Sequence, residues 1–274
     1  MIKIESLHIY PIKSLAGISL RESKVTNRGL AYDRRWMLVD EKNQFISQRE
    51  HPRLSLLQPE IKNQEMFVHD RSGVKESLAF KLNEPNSEPE QVTIWDDTIP
   101  AKPLSDTVNQ WFSAYLQASV RLFHMHEESI RQADQRYAMT ANDKVSFADG
   151  YPVLLLSEAT LNLLNSKLES PLSMDRFRPN VVVSGTTPHE EDTWREINTK
   201  KQKLFGVKPC ARCTITTIDQ DSAKFGKEPL KTLATYRKTG NKVLFGENFI
   251  PKEEGMLGVG DEIQIIEKKV PAIA

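Results

Sequence analysis

Short apolar runs separated by turn-forming residues fill most of the first hundred positions, and this pattern constrains the fold more than any other feature. The runs at residues 35–40, 45–48, 53–57 and 66–69 are separated by Asn, Pro, Lys and Gly. Residues 2–9 open the chain with a loose alternation of apolar and polar residues. Short strands with turn residues between them are typical of a β-barrel or a sandwich. The sequence therefore predicts a β-rich N-terminal unit.

About three helices are expected among these strands. Ser105 suits an N-cap and Ser157 opens a second helix, because small hydroxyl residues at these positions satisfy free amides of the first turn. Pro229 starts the third. After Ser105, apolar side chains recur at helical spacing, namely Val108, Trp111, Phe112, Tyr115 and Leu116. The apolar runs at residues 152–156 and 181–183 are predicted to be buried strands.

The organisation of the whole chain follows from these elements. Residues 127–143 are polar and nearly free of aliphatic side chains, so we expect a long loop that is a lid, a binding loop or a disordered segment. Residues 81–90 are expected to form a surface turn. The fold class is predicted to be β-dominated α+β, with one domain at residues 1–120 and a second at residues 121–274.

Charge and composition exclude several classes of protein. Lysine plus arginine equals aspartate plus glutamate at 37 each, so the net charge of zero gives no electrostatic case for nucleic acid or an acidic membrane. Any cationic site must therefore be local. The sequence contains neither an apolar run of the ~20 residues that a membrane span needs nor the apolar core of a signal peptide. We expect a cytoplasmic protein.

Both cysteines of the chain lie in one C-x-x-C segment, Cys210 and Cys213, with Arg212 between them. The β-branched residues 214–218 that follow predict a strand. Three interpretations stay open for the thiols: an inert buried pair, a zinc site completed by His124 and His126, and one thiolate that binds a soft metal.

Several polar residues stand at unusual places. Lys13 and Ser14 follow a strand, Arg34 precedes an apolar run, and Arg178 and Asn180 flank a proline. Each has a plain structural explanation as a loop or surface residue. Together with a thiolate they would form an anion cradle, since lysine, arginine, serine and asparagine are the side chains that bind phosphate oxygens.

Five motifs, in this order, resemble those of MOSC-domain proteins of the amidoxime-reducing (mARC-like) branch. They are YPIKS at 10–14, DRRW at 33–36, FRPN at 177–180, EDTW at 191–194, and CARC at 210–213 with its TT-x-D tail. The resemblance covers nearly the whole chain. It implies a MOSC β-barrel with an N-terminal β-rich companion, and a molybdenum-pterin cofactor (molybdopterin) between them.

The resemblance also implies roles for individual residues. Cys213 would be the thiolate ligand of molybdenum and Cys210 only its neighbour, with Arg212 holding positive charge beside the thiolate. Asp149 would line the metal pocket and is a candidate proton donor. The remaining cofactor-binding residues would be Lys13, Ser14, Arg34, Gly150, Tyr151, Arg178 and Asn180.

The activity implied by the resemblance is reduction of N-hydroxylated compounds, namely amidoximes, hydroxylamines and N-hydroxylated purines. The chain has no further cysteines for a ferredoxin cluster, so the electrons are expected from a separate reductase or ferredoxin. No N-terminal membrane anchor is expected. Two alternatives remain: a sulfur-carrier or cofactor-delivery module that uses a Cys213 persulfide, and a structural or zinc-binding protein.

Overall fold

The computed structural model describes residues 1–83 and 87–273, so part of the turn expected at residues 81–90 lies outside the described residues. The helices are α1 (Asp106–Leu116), α2 (Glu158–Asn165) and α3 (Leu230–Leu233). The strands are β1 (Lys3–Ile9), β2 (Ile18–Leu20), β3 (Glu22–Thr26), β4 (Gly29–Leu30), β5 (Trp36–Val39), β6 (Leu57–Lys62), β7 (Glu65–Asp70), β8 (Leu78–Lys81), β9 (Glu90–Ile94), β10 (Asp97–Pro103), β11 (Arg121–His124), β12 (Val153–Ser157), β13 (Val181–Ser184), β14 (Trp194–Asn198), β15 (Lys203–Ala211), β16 (Lys238–Thr239), β17 (Lys242–Pro251), β18 (Gly255–Gly258) and β19 (Gln264–Lys268). Strands far outnumber helices, which confirms the predicted β-dominated α+β class.

One large sheet organises the C-terminal part of the chain. Its strand order is β19-β14-β15-β17-β12-β13-β1-β2, and β16 pairs with β17. Strands β12 and β13 are parallel and are joined through α2, whereas the other neighbours are antiparallel. The first two strands of the chain thus join a sheet whose other strands all lie within residues 153–268. The division at residue 120 remains a proposal, since pairing across it is compatible with either one or two folding units.

The N-terminal part folds around two smaller sheets, β5-β11-β10-β9 and β6-β7-β8. Helix α1 covers them and buries Val108, Phe112 and Tyr115. All three helices begin where the sequence predicted, and the hydroxyl of Ser157 accepts a hydrogen bond from the amide of Thr160, 3.1 Å away. The buried strands predicted at residues 152–156 and 181–183 are confirmed as β12 and β13.

The strand predicted at residues 214–218 is wrong, because Thr214–Thr217 forms a 3₁₀ helix. The Thr216 hydroxyl donates to the carbonyl of Cys213 at 2.9 Å, and the Thr217 hydroxyl donates to the carbonyl of Thr214 at 2.7 Å. These bonds to carbonyls three residues back give the backbone a local alternative to a sheet ladder. The chain therefore turns sharply directly after Cys213.

Residues 127–143 form the predicted long loop, and buried arginines hold this region in place. Arg28 donates to the carbonyls of His126, Glu127 and Ser129. Farther along, Arg131 donates to the carbonyl of Ser146 at 2.9 Å and to that of Asp149 at 3.2 Å. The charged side chains thus satisfy carbonyls that have no sheet partner, and this fixes the backbone that leads to Asp149.

Candidate functional site

Five separate segments carry the residues for which the resemblance implies a role, and all of these residues line one pocket. The segments are the loop after β1, the link from β4 to β5, the loop before β12, the turn before β13 and the end of β15. The predicted residues that line the pocket are Lys13, Ser14, Arg34, Asp149, Gly150, Tyr151, Arg178, Asn180, Arg212 and Cys213. Lys13 and Cys213, which are 200 positions apart in the chain, thus line the same pocket.

The pocket is strongly positive although the chain is neutral. Its lining contains a single carboxylate, that of Asp149, among the described residues. The six lining cations are Lys13, Arg34, Arg49, Arg176, Arg178 and Arg212. Carboxylates pair with Lys13, Arg34 and Arg176, but among the described residues Arg49, Arg178 and Arg212 have none. Like charges without partners are destabilising, so this arrangement points to an anionic ligand.

Two of these guanidinium groups lie over the ring of Tyr10. The Cζ atom of Arg178 is 4.2 Å from the ring centroid and that of Arg34 is 4.7 Å from it. Tyr10 is buried, and its hydroxyl donates to the carbonyl of Pro179 at 3.2 Å. Cation–π attraction holds both cations in place without neutralising them. Burial lowers the pKa of Arg178 to about 10, so it keeps its charge at neutral pH.

Arg34 and Arg178 differ in how far the protein satisfies them. Arg34 Nη1 donates to Asp33 Oδ2 at 2.6 Å and to Asn180 Oδ1 at 3.2 Å. Within residues 1–83 and 87–273, the guanidinium of Arg178 has neither a hydrogen bond nor an ion pair. Arg178 is therefore the cation most available to a ligand.

Asn180 is committed to the protein itself. Its Oδ1 also accepts from the amide of Leu154 at 3.1 Å, and its Nδ2 donates to the carbonyl of His8 at 3.1 Å. The side chain is buried. Asn180 connects β1 to β12 and orients the Arg34 guanidinium. It therefore supports the pocket by positioning other residues.

Three pocket residues adopt left-handed backbone conformations that non-glycine residues rarely occupy. The φ angles are 74° at Ser14, 50° at Arg34 and 55° at Arg178. Such conformations cost on the order of 1 kcal/mol or more and concentrate at ligand-binding sites. Their coincidence in one pocket supports a binding function for it.

Lys13 and Asp149 form an ion pair at the edge of the pocket. Lys13 Nζ is 2.7 Å from Asp149 Oδ1 and donates to the carbonyl of Phe147 at 3.0 Å. Desolvation would raise the pKa of Asp149, but the Lys13 ammonium outweighs it and holds that pKa below its usual range. Desolvation lowers the pKa of Lys13, and Asp149 partly restores it. Asp149 is therefore ionised at neutral pH, and the proton of the pair resides on Lys13.

The two thiols have different surroundings. Cys213 is exposed, and within the described part of the chain its sulfur has no hydrogen-bond partner. Cys210 is half-buried, and its sulfur accepts from Arg212 Nη1 at 2.9 Å. The sequence placed Arg212 beside the Cys213 thiolate, whereas its hydrogen bond is to Cys210. Arg212 Nε is buried without a partner among the described residues.

The zinc alternative has no support in the geometry. In residues 1–83 and 87–273, no group of three or more His, Cys, Asp and Glu side chains could hold a metal ion. The His124 ring stacks on Trp36 at 4.7 Å, and burial lowers its pKa to about 3. His126 Nδ1 lies 2.8 Å from the Ser129 hydroxyl. Both histidines therefore have structural roles.

Sequence reasoning missed other lining residues, among them Arg49, Arg176 and Asn248. For Arg176 the sequence signal was its partner: Asp219 is the last residue of the TT-x-D tail, and its carboxylate lies 2.8 Å from Arg176 Nη2. Arg49 and Asn248 lie in segments without a distinctive pattern. Only tertiary structure brings them to the pocket.

Comparisons with known proteins agree with this geometry. Residues 1–119 match the MOSC N-terminal beta barrel domain, and residues 142–264 match the MOSC domain. The chain is 32% identical to mouse mitochondrial amidoxime-reducing component 1, an alignment that covers 96% of this chain and 82% of the relative. It is 33% identical to rat mitochondrial amidoxime reducing component 2, with 95% and 82% covered.

A rice molybdenum cofactor sulfurase is 30% identical over 89% of this chain, which spans 32% of that longer protein. In the part of the chain that the structure describes, no helix has both the length and the apolarity to span a membrane. Two of the relatives are named mitochondrial, and the cytoplasmic location stays a prediction. Two domains match, and the relatives align along almost the full length of the chain. The chain therefore belongs to the MOSC-domain family, in its amidoxime-reducing component branch.

Proposed function

We propose that this protein is a molybdenum-cofactor-dependent oxidoreductase that reduces N-hydroxylated compounds with electrons from a separate reductase or ferredoxin. One observation carries the proposal: the free thiol of Cys213 opens into a pocket lined by six cations and one carboxylate. Relatives named amidoxime-reducing components support the substrate class. The cofactor-binding roles of the lining residues are part of the proposal.

The residues fit a cofactor that combines a soft metal with a phosphate. A cysteine thiolate is the protein ligand that a soft metal selects, and Cys213 offers one that has no competing partner in residues 1–83 and 87–273. The guanidinium of Arg178 and the buried Nε of Arg212 lack partners among the described residues, so a phosphate or a polar ring atom would satisfy them. When bound, such a cofactor supplies the two-electron redox chemistry.

The chain's own part in this chemistry is to bind, to orient and to supply protons. Arg34 and Arg178 would hold the phosphate, while Tyr10 and Asp33 keep their guanidinium groups in position. Ser14 would donate its hydroxyl at the same place. Binding by preorganised charge-assisted hydrogen bonds costs little reorganisation of the protein.

Conversion of an N–OH group to N–H with release of water consumes two electrons and two protons. Lys13 lines the same pocket as Cys213, and its Nζ carries a proton at neutral pH because Asp149 is ionised beside it. Lys13 can therefore act as the general acid. Asp149, predicted as a proton donor, would keep Lys13 charged, and its side chain, which is 68% exposed, leaves the pair open to the solvent that reprotonates Lys13.

A reductase assay tests the proposal. The protein, produced in a host that makes the molybdenum cofactor, is incubated with benzamidoxime and chemically reduced methyl viologen, and benzamidine is measured. Wild type and Cys210→Ser should produce benzamidine, and Cys213→Ser should not. Undiminished activity of Cys213→Ser would refute the proposal.

A second function is favoured by a specific observation. The rice relative is named a molybdenum cofactor sulfurase. The exposed thiol of Cys213, which has no hydrogen-bond partner among the described residues, is also suited to carry a persulfide. In that case mass spectrometry of the purified protein should detect a sulfur on Cys213 that thiols release. The reductase assay should then give no benzamidine with any variant.

A further inference from the structure

A second cavity adjoins the cationic pocket on the side of the long loop. The two cavities share Asp149, Gly150, Tyr151, Cys210, Ala211 and Asn248. The far side of the second cavity is formed by residues 95–99 of the β9–β10 hairpin and by residues 130–136. A molecule in this cavity can therefore extend into the pocket that contains Cys213.

Trp95 stands at the turn of that hairpin in an unfavourable backbone conformation. Ile94 pairs with Asp97, so Trp95 and Asp96 form a two-residue turn. The φ angle of Trp95 is 55°, a value for which such turns favour glycine or asparagine. A bulky residue at positive φ is rare and persists where its surroundings or its function require the side chain. Trp95 is nevertheless 43% exposed, so burial of the indole does not explain it.

The indole is held at the border between the two cavities. Its centroid lies 4.8 Å from that of Phe45, and Arg49 Cζ lies 4.8 Å from the indole centroid. Lys13 Nζ is 6.0 Å from it. Lys13 and Arg49 both line the cationic pocket. The ring is thus fixed by contacts with that pocket while much of its surface remains open.

Charges in the second cavity are mostly neutralised by each other. Arg131 pairs with Asp97 at 2.8 Å, and Arg136 pairs with Asp134 at 2.8 Å. In the described residues, Asp96 is the one lining charge without an ion pair. The cavity therefore disfavours anionic ligands. Beside its paired charges and polar groups, the cavity offers aromatic and apolar surface from Trp95, Tyr151 and Ile130.

We propose that Trp95 is the stacking platform for the substrate, and that the second cavity selects planar aromatic N-hydroxylated compounds that are neutral or cationic. The identity of the reacting group rests on the proposed function. The aromatic ring would stack on the indole, as offset aromatic pairs do. The N-hydroxyl group would point past Asp149 and Gly150 into the pocket of Cys213.

Binding without turnover tests the proposal. Calorimetry with the oxidised, molybdenum-loaded protein and no reductant measures the affinity for benzamidoxime and for acetamidoxime, which lacks the ring. Trp95→Leu and Trp95→Gly should lower the ratio of the two affinities about fivefold, which corresponds to about 1 kcal/mol. Glycine suits the positive φ, so Trp95→Gly should still fold, which a cooperative thermal unfolding transition checks.

Phe225→Leu is the matched control, because Phe225 is 52% exposed and lines neither cavity. It should keep the wild-type ratio. An unchanged ratio in both Trp95 variants, or no binding of benzamidoxime to wild type, would overturn the proposal. A different outcome is that the wild-type protein binds benzamidoxime through Trp95 but does not reduce it. That result would refute the proposed function and would still support the aromatic binding site.

Discussion

Replacing Asp33 with asparagine removes the charge that holds Arg34 in the pocket and keeps the shape of the side chain. Asp33 is fully buried; its Oδ2 is 2.6 Å from Arg34 Nη1, and its Oδ1 accepts from the amide of Tyr10 at 2.7 Å. Asparagine can still accept from the Tyr10 amide through its single oxygen. Its NH₂ group would then face the guanidinium, so the Arg34 cation, whose side chain is only 13% exposed, loses its charged partner.

The size of the effect follows from burial. Removing one partner of a buried ion pair costs about 3–5 kcal/mol, because the remaining charge stays desolvated without compensation. The exposed pair of Arg121 and Glu90 is a matched control, with two oxygens of Glu90 facing two nitrogens of Arg121 and side chains 36% and 40% exposed. A solvent-exposed pair contributes about 0–1 kcal/mol.

Urea unfolding of wild type, Asp33→Asn and Glu90→Gln measures both costs. We expect a loss of about 3–5 kcal/mol for Asp33→Asn and less than about 1 kcal/mol for Glu90→Gln. Equal losses in the two variants, or a loss below about 1 kcal/mol for Asp33→Asn, would refute the argument that burial makes this pair the anchor of Arg34.

Three further perturbations test other parts of the account. Arg178→Met keeps much of the aliphatic stem but removes a cation that has no ion-pair partner among the described residues, so the unfolding temperature should not change. The amount of bound pterin, measured by fluorescence after oxidative release, should fall at least about fivefold. An unchanged amount of pterin would contradict the phosphate-binding role. Ser157→Ala removes the N-cap of α2 and a hydrogen bond to buried Glu191, so the free energy of unfolding in urea should fall by about 1–2 kcal/mol. In the control Ser105→Ala the loss should be much smaller, because the Ser105 side chain makes no cap hydrogen bond. Equal losses would count against the capping role of Ser157. Burial raises the pKa of Glu247 from 4.5 to about 8, against the opposing effect of Lys269. The stability that Glu247 contributes is therefore complete below pH 4.5 and is lost as the pH rises through about 8. The unfolding temperature of wild type should therefore drop more between pH 5 and pH 8.5 than that of Glu247→Gln, and parallel curves would show that Glu247 does not titrate as stated.

Local patterns were sufficient where a local interaction determines the structure. The Ser157 hydroxyl contacts an amide three residues away, and α2 begins there as predicted. They failed at residues 214–218, where β-branched residues favour a strand in general. There the hydroxyls of Thr216 and Thr217 bind nearby carbonyls, and this outcome depends on rotamers that composition does not specify.

The candidate site could be assembled from the sequence because its residues belong to motifs with a known resemblance. What holds those residues could not be predicted. The contact of Tyr10 with Arg34 and Arg178 joins segments more than 140 positions apart. Likewise, the position of Trp95 beside Lys13 depends on how the β9–β10 hairpin packs against the pocket, and no local pattern encodes that packing.

Molybdenum content in the cysteine variants tests the central claim most directly. Elemental mass spectrometry of wild type, Cys210→Ser and Cys213→Ser, all produced in a host that makes the cofactor, gives the metal per chain. The account predicts about one molybdenum per chain in wild type and Cys210→Ser and nearly none in Cys213→Ser, because a single thiolate ligand is supplied by the chain. Full molybdenum in Cys213→Ser, or none in wild type, would contradict it.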